Sequence, residues 1–317
     1  MIQPGREPRV VIVLLTTNAL DDTVACIRSL LQSTYANLRI VVVDNASIDG
    51  SEECIKHLFP EIEYLQTGKN GGFAASNNAG IRLALQQNPS YVLLLNNDTL
   101  VEPGFLEPLV DALEADPMAG CATSTICYYP ETDLLWYAGG DLIWWRGSGF
   151  SRNQDRPVRT IGHQPTQTVT FISGCFMLLR REVLDKIGLL DEQTFLYCED
   201  TEYSMRMASA GYRLLYVPAV RIYHKTAHRN KTPFTLYYIV RNRLHVISLG
   251  LHGWRRAFAM SYVVGTTAIK MVFWYARRRD LSRAAFMGLQ DYFRGVLYEG
   301  RGLRFPYRSR PVQEHSQ

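Results

Sequence analysis

The sequence has little charge for its length and no repeated unit. Of its 317 residues, 20% are charged and 47% are hydrophobic, a balance that excludes disorder, collagen-like repetition and a coiled coil. No segment of roughly 20 to 50 residues recurs, which argues against solenoids and propellers. The chain is long enough to bury one large core or two modest ones.

Paired cysteines and an apolar run at the start of the sequence are also missing. The six cysteines include no Cys-x-x-Cys pair, so they predict reduced and mostly buried thiols of a cytosolic protein. Residues 1–9 contain no apolar run and give no indication of secretion. We therefore expect a cytoplasmic protein.

Two phosphate-binding signatures do not occur. No Gly-x-Gly-x-x-Gly follows the first predicted strand, and the sequence contains no Gly-x-x-x-x-Gly-Lys-Ser/Thr loop. The glycine-rich stretch at 68–74 instead opens a predicted helix, whose N-terminus suits an anion. A plain turn explains the same stretch equally well.

Charge is unevenly distributed. Residues 1–220 carry a net charge of −10, and residues 221–317 carry +14. A basic C-terminal third is most simply a solvated face, but it also suits an anionic membrane surface or a nucleic acid. A nucleic acid is the least favoured partner, because the basic residues alternate with apolar stretches and match no recognisable motif.

Apolar runs and helical patterns alternate through about the first hundred residues. Runs rich in β-branched residues predict buried strands at 9–15, 38–43, 62–65 and 91–95. Helices are expected from Asp21 onward and over 51–58 and 72–87. This alternation predicts an α/β fold with a doubly wound, mostly parallel sheet.

The alternation stops after residue 119. Residues 128–170 predict loops with short strands, and residues 169–172 and 175–179 predict an antiparallel pair. A helix is expected from Glu199 to about Ala210, where Gly211 suits a left-handed cap.

The remaining residues predict strand and then helix. Two strand segments, 213–217 and 220–224, flank Pro218, and the chain beyond Pro233 is expected to be helical to about residue 297.

Polar side chains follow three of the predicted strands, where ligands bind in an open α/β sheet. Thr17 and Asn18 follow the first strand, residues 44–47 the second, and Asn97 with Asp98 the fourth. Each group alone is typical of a turn or a helix cap. Three such groups at one edge predict a site for polar groups or a cation.

Residues 198–202, Cys-Glu-Asp-Thr-Glu, place three carboxylates at the start of a predicted helix. The helix dipole alone favours acids there. The functional interpretation is that one carboxylate faces the cleft as a general base.

Several short motifs occur in one order. They are Val-Val-Asp-Asn-Ala-Ser-Ile-Asp-Gly at 42–50, Asn-Gly-Gly-Phe-Ala at 70–74, Asn-Asn-Ala-Gly at 77–80, Leu-Leu-Leu-Asn-Asn-Asp at 93–98, Gly-Cys-Phe-Met at 174–177, Asp-Glu at 191–192, Phe-Leu-Tyr-Cys-Glu-Asp at 195–200 and Tyr-Ile-Val-Arg-Asn at 238–242. On these motifs, residues 9–245 resemble family 2 glycosyltransferases, and the last motif resembles their rhamnosyltransferase branch.

The resemblance implies a GT-A fold, with a Rossmann-like, mostly parallel central sheet flanked by helices. It implies a catalytic domain over 1–232 and a helical, basic C-terminal region over 233–317. The implied reaction is inverting transfer of a sugar from a nucleoside diphosphate to an acceptor hydroxyl of a lipid-linked or cell-surface glycan. Rhamnose is the favoured sugar, dTDP-rhamnose the favoured donor and a UDP-sugar the next.

The resemblance also implies roles for individual residues. Asp200 is the implied general base, and Glu199 positions the sugar or the acceptor. Asp98 is implied to ligate Mg²⁺ or Mn²⁺ between the phosphates, with His224 near the metal. The implied nucleotide-sugar-binding residues are Thr17, Asn18, Asp44, Asn45, Ser47, Asn70, Gly72, Asn78, Asn97 and Arg241.

One motif departs from the family pattern. The family's Asp-x-Asp position reads Asn96-Asn97-Asp98, so a single carboxylate remains. Because Mg²⁺ commonly takes one or two carboxylates plus substrate phosphates and water, we expect weak metal binding without nucleotide. The absence of a Gln-x-x-Arg-Trp motif argues against a processive polymer synthase.

Residues 258–276 contain 14 apolar residues in 19. That length just spans a bilayer, but Lys270 near the middle is costly there. Thr266, Lys270 and Arg277 share one helical face, which favours an amphipathic helix on the inner face of the cytoplasmic membrane. Burial in the fold or in a homodimer contact, and a true span, are the alternatives.

Two other functions stay open from the sequence. A nucleotidyltransferase also places acids at the strand ends of a nucleotide-binding sheet, but it releases pyrophosphate. A catalytically inactive nucleotide- or glycan-binding relative is suggested by the reduced metal motif and opposed by the intact Glu199-Asp200 pair.

Overall fold

The computed structural model describes residues 7–226 and 232–304. The chain begins with four strands, β1 Val10–Thr16, β2 Leu38–Asp44, β3 Glu63–Gln66 and β4 Tyr91–Asn96. The helices between them are α1 Leu20–Leu30, α2 Ser51–Leu58 and α3 Gly72–Gln86. These strands lie in the order β4-β1-β2-β3 and are parallel, which confirms the alternation expected from the sequence.

The middle of the chain is richer in short strands. Its elements are β5 Thr99–Val101, α4 Glu107–Glu114, β6 Ala119–Tyr128, β7 Leu135–Tyr137, β8 Gly140–Ile143, β9 Ser148–Ser151, β10 Gln167–Val169, β11 Phe176–Arg180, α5 Arg181–Ile187, α6 Glu199–Ser209 and β12 Arg213–His224. Except for the separate β8–β9 hairpin, the strands join one ten-stranded sheet with the main order β10-β12-β6-β11-β4-β1-β2-β3.

The expected antiparallel pair between residues 169–172 and 175–179 is wrong. β10 ends at Val169 and pairs with β12, whereas β11 lies antiparallel between β4 and β6. Four consecutive β11 residues, Phe176 to Leu179, are buried. A strand buried on both faces belongs in the middle of a sheet with partners on both edges, so β11 makes long-range pairs instead of a local hairpin.

The two strand segments at 213–217 and 220–224 form one strand, β12, which pairs in parallel with β6. The register shifts between Val217 and Arg221. Pro218 has no N–H for the ladder, and a bulge accommodates it.

The core lies on both faces of the sheet, because successive strand residues point to opposite sides. Ile12 and Leu14 belong to the cluster that includes α1 and α4, while Val11 and Val13 belong to the cluster that includes α3. All six cysteines are free and four are buried, as the sequence predicts.

Three helices complete the described chain: α7 Pro233–Gly250, α8 Gly253–Arg277 and α9 Arg279–Phe293. They confirm the helical C-terminal region. The expected boundary at residue 232 adjoins residues 227–231, which lie outside the described residues, as do 1–6 and 305–317.

Helix α8 is largely uncovered. Its buried residues are Ala259, Val263 and Thr267, which recur every four positions and so form one stripe. In the described part of the chain, α8 is the one helix that is long and apolar enough to cross a membrane. Only 17% of its most apolar stretch is buried against the rest of the protein.

Candidate functional site

The turns after β1 and β2 are joined by two hydrogen bonds. The N–H of Asn18 donates to Ser47 Oγ at 2.8 Å, and the N–H of Ile48 donates to Asn18 Oδ1 at 2.8 Å. Thr17 and Asn18 are exposed and Ser47 is half-buried. This edge of the sheet therefore presents polar side chains to a ligand.

The Asp44 carboxylate lies beneath that edge and is fully buried. Its Oδ1 accepts from the N–H of Ser47 at 2.7 Å, and its Oδ2 accepts from the Gln66 amide at 3.0 Å and from the Tyr64 hydroxyl. Asp44 thus holds the turn after β2 in shape. Direct contact between this carboxylate and a nucleoside stays a prediction.

Asn45 connects the end of β2 to the glycine-rich segment. Its Nδ2 donates to Asn70 Oδ1 at 2.9 Å, and its Oδ1 accepts from the N–H of Gly71 at 2.9 Å. Asn70 Oδ1 also accepts from the N–H of Gly72 at 2.9 Å. The structure therefore brings together Asn45, Asn70 and Gly72, as expected for one site.

Gly72 allows the start of α3 to touch the segment before α6. It has a φ of +79°, and a β-carbon there would lie 2.3 Å from the carbonyl oxygen of Phe195. The N–H of Phe73 donates to the same oxygen at 2.6 Å. Only glycine combines this φ with this close approach, so Gly72 places the glycine-rich segment beside the segment that leads to Glu199.

The pairing of β5 with β12 brings Asp98 next to His224. Thr99 lies opposite His224 in the register, and His224 Nε2 is 3.0 Å from Asp98 Oδ1. The imidazole is 1% exposed and the Asp98 side chain 25% exposed. Asp98 therefore reaches the surface of the site, and His224 supports it from behind.

Asn97 turns toward the β1 side of the same edge. Its Nδ2 donates to Thr23 Oγ1 at 2.8 Å and to Thr16 Oγ1 at 3.2 Å. These bonds fix the chain just before Asp98.

The charge state of His224 depends on its neighbours. Burial alone lowers the pKa of His224, but the nearby groups of Cys175 and Asp98 outweigh burial and raise the pKa to about 10. The Asp98 carboxylate therefore favours the protonated form of His224. A cation bound at Nε2 would replace that proton, since a metal ligand must be neutral imidazole.

Within the described residues, a metal at this edge would have few protein ligands. The described residues contain no group of three or more His, Cys, Asp or Glu side chains that could hold a metal ion. Asp98 and His224 supply one carboxylate and one imidazole. That donor set fits Mg²⁺ or Mn²⁺ when phosphate oxygens and water complete the coordination.

Asp200 lies in the first turn of α6, and its carboxylate is held by backbone donors. Oδ2 accepts from the N–H of Gly174 at 3.2 Å, and Oδ1 accepts from the N–H of Thr201 at 2.7 Å. The next residue after Gly174, Cys175, accepts from the N–H of Asn96 at 3.0 Å. The segment before β11 therefore links Asp200 to the strand end that carries Asp98.

Glu199 is buried, and the adjacent Asp200 is half-buried. Burial, and then the charge of Asp200, raise the pKa of Glu199 to about 8. Burial also raises the pKa of Asp200, against hydrogen bonds from Gly174 and Thr201. Within the described chain, Glu199 Oε2 is buried without a hydrogen-bond partner. The two groups titrate as a pair, and at neutral pH the arrangement favours a protonated Glu199 beside an ionised Asp200.

Asn78 and Arg241 are placed in the interior instead of at the strand ends. Asn78 Oδ1 accepts from the N–H of Leu190 at 3.0 Å. Arg241 is fully buried on α7, and its Nη2 donates to the carbonyl of Thr194 at 2.9 Å. Both side chains hold the segment before α6, and their contact with a nucleotide sugar stays a prediction.

Asn242, which directly follows Arg241, is a supporting residue that the sequence-based predictions do not include. Asn242 Nδ2 donates to the carbonyls of Thr194, Leu196 and Tyr197 at 2.7, 2.9 and 2.8 Å. The segment that Asn242 holds includes positive φ angles of 62° at Phe195 and 68° at Tyr197. A signal was present, because Asn242 ends the motif at 238–242.

Curated relatives of this chain include several rhamnosyltransferases. It is 27% identical over 216 residues to the N-acetylglucosaminyl-diphospho-decaprenol L-rhamnosyltransferase of Mycobacterium tuberculosis, covering 63% of this chain and 70% of that protein. It is 24% identical over 254 residues to the rhamnosyltransferase WbbL of Escherichia coli, covering 74% and 94%. The dTDP-rhamnosyl transferase RfbF of Shigella flexneri is 22% identical over 222 residues, covering 65% and 69%.

Solved structures with the same fold confirm the expected GT-A architecture. The mannosyltransferase PcManGT from Pyrobaculum calidifontis, in complex with GDP-Man and Mn²⁺, matches with a TM-score of 0.58 at 15% identity, over 92% of this chain and 88% of that one. GalNAc-T7 with UDP, GalNAc and Mn²⁺ matches with a TM-score of 0.64 at 16% identity, over 97% and 60%. The sequence model that represents glycosyl transferase family 2 matches residues 11–188, which is more than half of the chain. With its sequence motifs, its fold and this match in agreement, the chain belongs to glycosyl transferase family 2.

Proposed function

We propose that this chain transfers a sugar from a nucleoside diphosphate to an acceptor hydroxyl, with inversion at the anomeric carbon. The observation that carries the proposal is the Asp200 carboxylate, held by Gly174 and Thr201 and joined through the segment before β11 to the strand end with Asp98. This transfer needs a base beside the acceptor hydroxyl and an anchor for the leaving diphosphate. Asp200 and Asp98 are the groups proposed for these two tasks.

Asp200 is the proposed general base. The acceptor hydroxyl loses its proton as its oxygen attacks the anomeric carbon, and a carboxylate with a raised pKa accepts that proton more readily. A single displacement of this kind reverses the configuration of the sugar. Glu199, protonated beside Asp200, can donate a hydrogen bond to the sugar or to the acceptor.

A divalent cation, Mg²⁺ or Mn²⁺, supplies electrostatic stabilisation of the leaving diphosphate when it is bound. Asp98 is the proposed protein ligand, and His224 is the proposed second ligand or its support. The Mn²⁺ named in the two solved neighbours supports this choice. Thr17, Asn18 and Ser47 are the proposed contacts of the nucleoside.

The relatives support the choice of sugar. Three of them are named rhamnosyltransferases, and one is named for dTDP-rhamnose. We therefore favour rhamnose from dTDP-rhamnose, with a UDP-sugar or another hexose donor as the next choice.

The acceptor is proposed to be a lipid-linked or cell-surface glycan of cell-wall or polysaccharide synthesis. The mycobacterial relative is named for a lipid-linked acceptor, N-acetylglucosaminyl-diphospho-decaprenol. Helix α8, apolar and largely uncovered, supports a cytoplasmic enzyme that lies on the inner face of the cytoplasmic membrane. A homodimer contact through α8 is the competing use of that surface.

The test is a donor panel with two variants. Purified protein with Mn²⁺ or Mg²⁺ is incubated with dTDP-, UDP- and GDP-sugars, and released nucleoside diphosphate is measured. We expect one donor to be hydrolysed, Asp98→Ala to abolish that hydrolysis, and Asp200→Asn to lower glycosyl transfer by about 10²-fold or more while nucleotide binding persists.

Other outcomes would contradict the proposal. Release of pyrophosphate from a nucleoside triphosphate and a sugar 1-phosphate, supplied in place of the nucleotide sugar, would identify a nucleotidyltransferase. An Asp200→Asn protein with more than about a tenth of the wild-type turnover would exclude Asp200 as the base. Absence of turnover, together with no thermal stabilisation by any nucleotide, would support an inactive binding relative.

A further inference from the structure

A small cavity lies between α7, α8 and the turn at Trp144–Arg146. Its volume is about 150 Å³, which is several times the volume that one water molecule occupies in the liquid, about 30 Å³. Three of the residues that line it are cations, Arg146, Arg243 and Lys270, and none of the described residues that line it is acidic.

The two arginines are held together despite their like charges. Arg243 Nε donates to the backbone carbonyl of Arg146 at 2.7 Å. Burial, together with the charge of Arg146, lowers the pKa of Arg243. The charge of Arg146 thus disfavours the charged form of Arg243, and an anion beside Arg243 would remove that cost.

Apart from Thr235 and Thr267, the rest of the lining is apolar. Leu236, Ile239 and Val240 from α7 and Trp274 from α8 form the walls. Free phosphate would gain nothing from these walls, whereas an anion carried on a hydrocarbon chain would bury both of its parts.

The cavity lies between the uncovered side of α8 and the catalytic segment. On α8, Lys270 and Trp274 flank Val272 and Phe273, which are 76% and 58% exposed. On the other side, Arg243 directly follows Asn242, whose Nδ2 donates to the carbonyl of Tyr197 at 2.8 Å, two residues before Glu199.

The turn that carries Arg146 also leads to the catalytic helix. Three residues after Arg146, the N–H of Gly149 donates to Thr201 Oγ1 at 3.4 Å. Two separate connections thus join the cavity to the first turn of α6.

We propose that this cavity binds the phosphate or diphosphate of a polyisoprenoid acceptor, and so positions the acceptor glycan for Asp200. The proposal rests on the proposed function, since it assigns the acceptor of that reaction. Arg146, Arg243 and Lys270 contact the anionic oxygens, the apolar walls contact the first isoprene units, and the remaining lipid follows the uncovered side of α8 into the membrane.

The first test is direct binding of farnesyl diphosphate by calorimetry, with EDTA present so that a metal-dependent donor site does not contribute. We expect Lys270→Gln and Arg146→Gln each to weaken binding by about tenfold, because a charge-assisted hydrogen bond is worth about 1.5–3 kcal/mol. Both side chains are exposed, so these variants should fold. Arg255→Gln, which removes an arginine of α8 that does not line the cavity, is the matched control and should bind as the wild type does.

Two further probes separate the parts of the ligand. Farnesol should bind weakly and equally to all variants, and inorganic pyrophosphate should bind more weakly than farnesyl diphosphate. Unchanged farnesyl diphosphate binding in both cavity variants, or no binding by the wild type, would overturn the proposal.

The donor assay separates this proposal from the proposed function. The cavity variants should keep wild-type hydrolysis of the nucleotide sugar and wild-type dTDP or UDP binding, while the KM for a prenyl-linked acceptor rises about tenfold. If Lys270→Gln and Arg146→Gln instead weaken nucleotide binding, the cavity serves the donor and the proposal is wrong. If the wild type hydrolyses no donor, the proposed function fails, whatever the lipid-binding result.

Discussion

At the scale of single residues, the site depends on neighbouring acids whose protonation is unequal. Glu199 and Asp200 are adjacent in the chain, but the carboxylate of Asp200 accepts backbone hydrogen bonds, while Glu199 Oε2 has no hydrogen-bond partner within the described chain. The hydrogen bonds favour the charged form of Asp200, and burial favours the neutral form of Glu199. Two acids of similar intrinsic strength therefore suit different tasks.

The raised pKa of Glu199 predicts a pH-dependent effect of Glu199→Gln on stability. Burial raises this pKa from 4.5 to about 8. Between these two pH values, Glu199 keeps its proton in the folded wild type and has lost it in the unfolded chain. The free energy of unfolding of the wild type therefore falls as the pH rises. Glutamine does not titrate, so we expect the Tm of the variant relative to the wild type to rise by at least about 2 °C between pH 5 and pH 8.

The measurement is a series of thermal denaturation curves at matched ionic strength. Glu53→Gln, at an exposed glutamate in the first turn of α2, is the control for the removal of a glutamate that is not buried. A pH-independent difference for Glu199→Gln would mean that Glu199 is ionised in the folded protein at neutral pH.

At the scale of elements, α8 differs from the other long helices. It has 25 residues and is therefore about 37 Å long, yet it packs through one narrow stripe. Its outward residues include Trp254, Phe258, Ile269 and Val272, exposed by 69%, 51%, 72% and 76%. It contains four basic residues and no acid. A large apolar surface with positive charge is typical of a helix that lies in an anionic lipid surface.

We expect the double variant Val272→Glu/Phe273→Glu to bind anionic vesicles at least about tenfold more weakly than the wild type. Burying each of these side chains is worth about 1.5–3 kcal/mol, and the new carboxylates are repelled by anionic headgroups. The measurement is co-sedimentation with phosphatidylglycerol vesicles at low and high salt.

Met118→Glu is the matched control, since Met118 is a 51% exposed apolar residue outside α8. It should bind the vesicles as the wild type does. α8 would be identified as a protein contact if the double variant bound the vesicles as strongly as the wild type does, or if it changed from dimer to monomer. Retention of the wild type in cell membranes through both salt and alkaline extraction would instead indicate a spanning helix.

At the scale of the whole molecule, the site is assembled from segments that are distant in sequence. Asp98 and His224 meet because β5 pairs with β12, and Asp200 meets Gly174 because the segment before the central strand β11 passes α6. Helix α7 then holds the segment before α6 from behind through Asn242. Helix α7 thus contributes to the shape of the proposed catalytic site.

This arrangement predicts that Asn242→Asp lowers turnover without weakening nucleotide binding. Aspartate has the same size but cannot donate to the carbonyls of Thr194, Leu196 and Tyr197, so the positive-φ segment before Glu199 loses its support. We expect kcat to fall about tenfold or more, because a lost buried donor costs about 1–3 kcal/mol. The readouts are kcat and dTDP or UDP binding, measured separately.

Asn37→Asp is the matched control, because Asn37 Nδ2 also donates to a backbone carbonyl, that of Glu7, at 2.9 Å. It lies at the opposite end of β2 from Asp44 and should keep wild-type kcat. If Asn242→Asp leaves kcat unchanged, or weakens nucleotide binding as much as it lowers kcat, Asn242 does not act through the catalytic segment.

The alternation of β1 to β4 with α1 to α3 follows from the sequence alone. Each apolar run and each helical period is a local pattern, and parallel strands joined by helices must align their carboxyl ends at one edge. That is why the amino-acid sequence is sufficient to predict that Thr17, Asn45 and Asp98 lie at one edge of the sheet. The ordered motifs, read in the same way, indicate the family.

Only the tertiary structure decides the rest. β11 pairs with β4 and β6 instead of with its sequence neighbour. A strand whose two faces are both apolar buries most surface, and pairs along both edges, in the middle of the sheet. Asn78 and Arg241 lie in the interior, since their polar groups satisfy backbone atoms that are distant in sequence. The cations at Arg146, Arg243 and Lys270 come from three separate elements and form one cavity only when α7 and α8 pack. No local sequence pattern predicts these long-range contacts, because they depend on which surfaces the whole chain buries together.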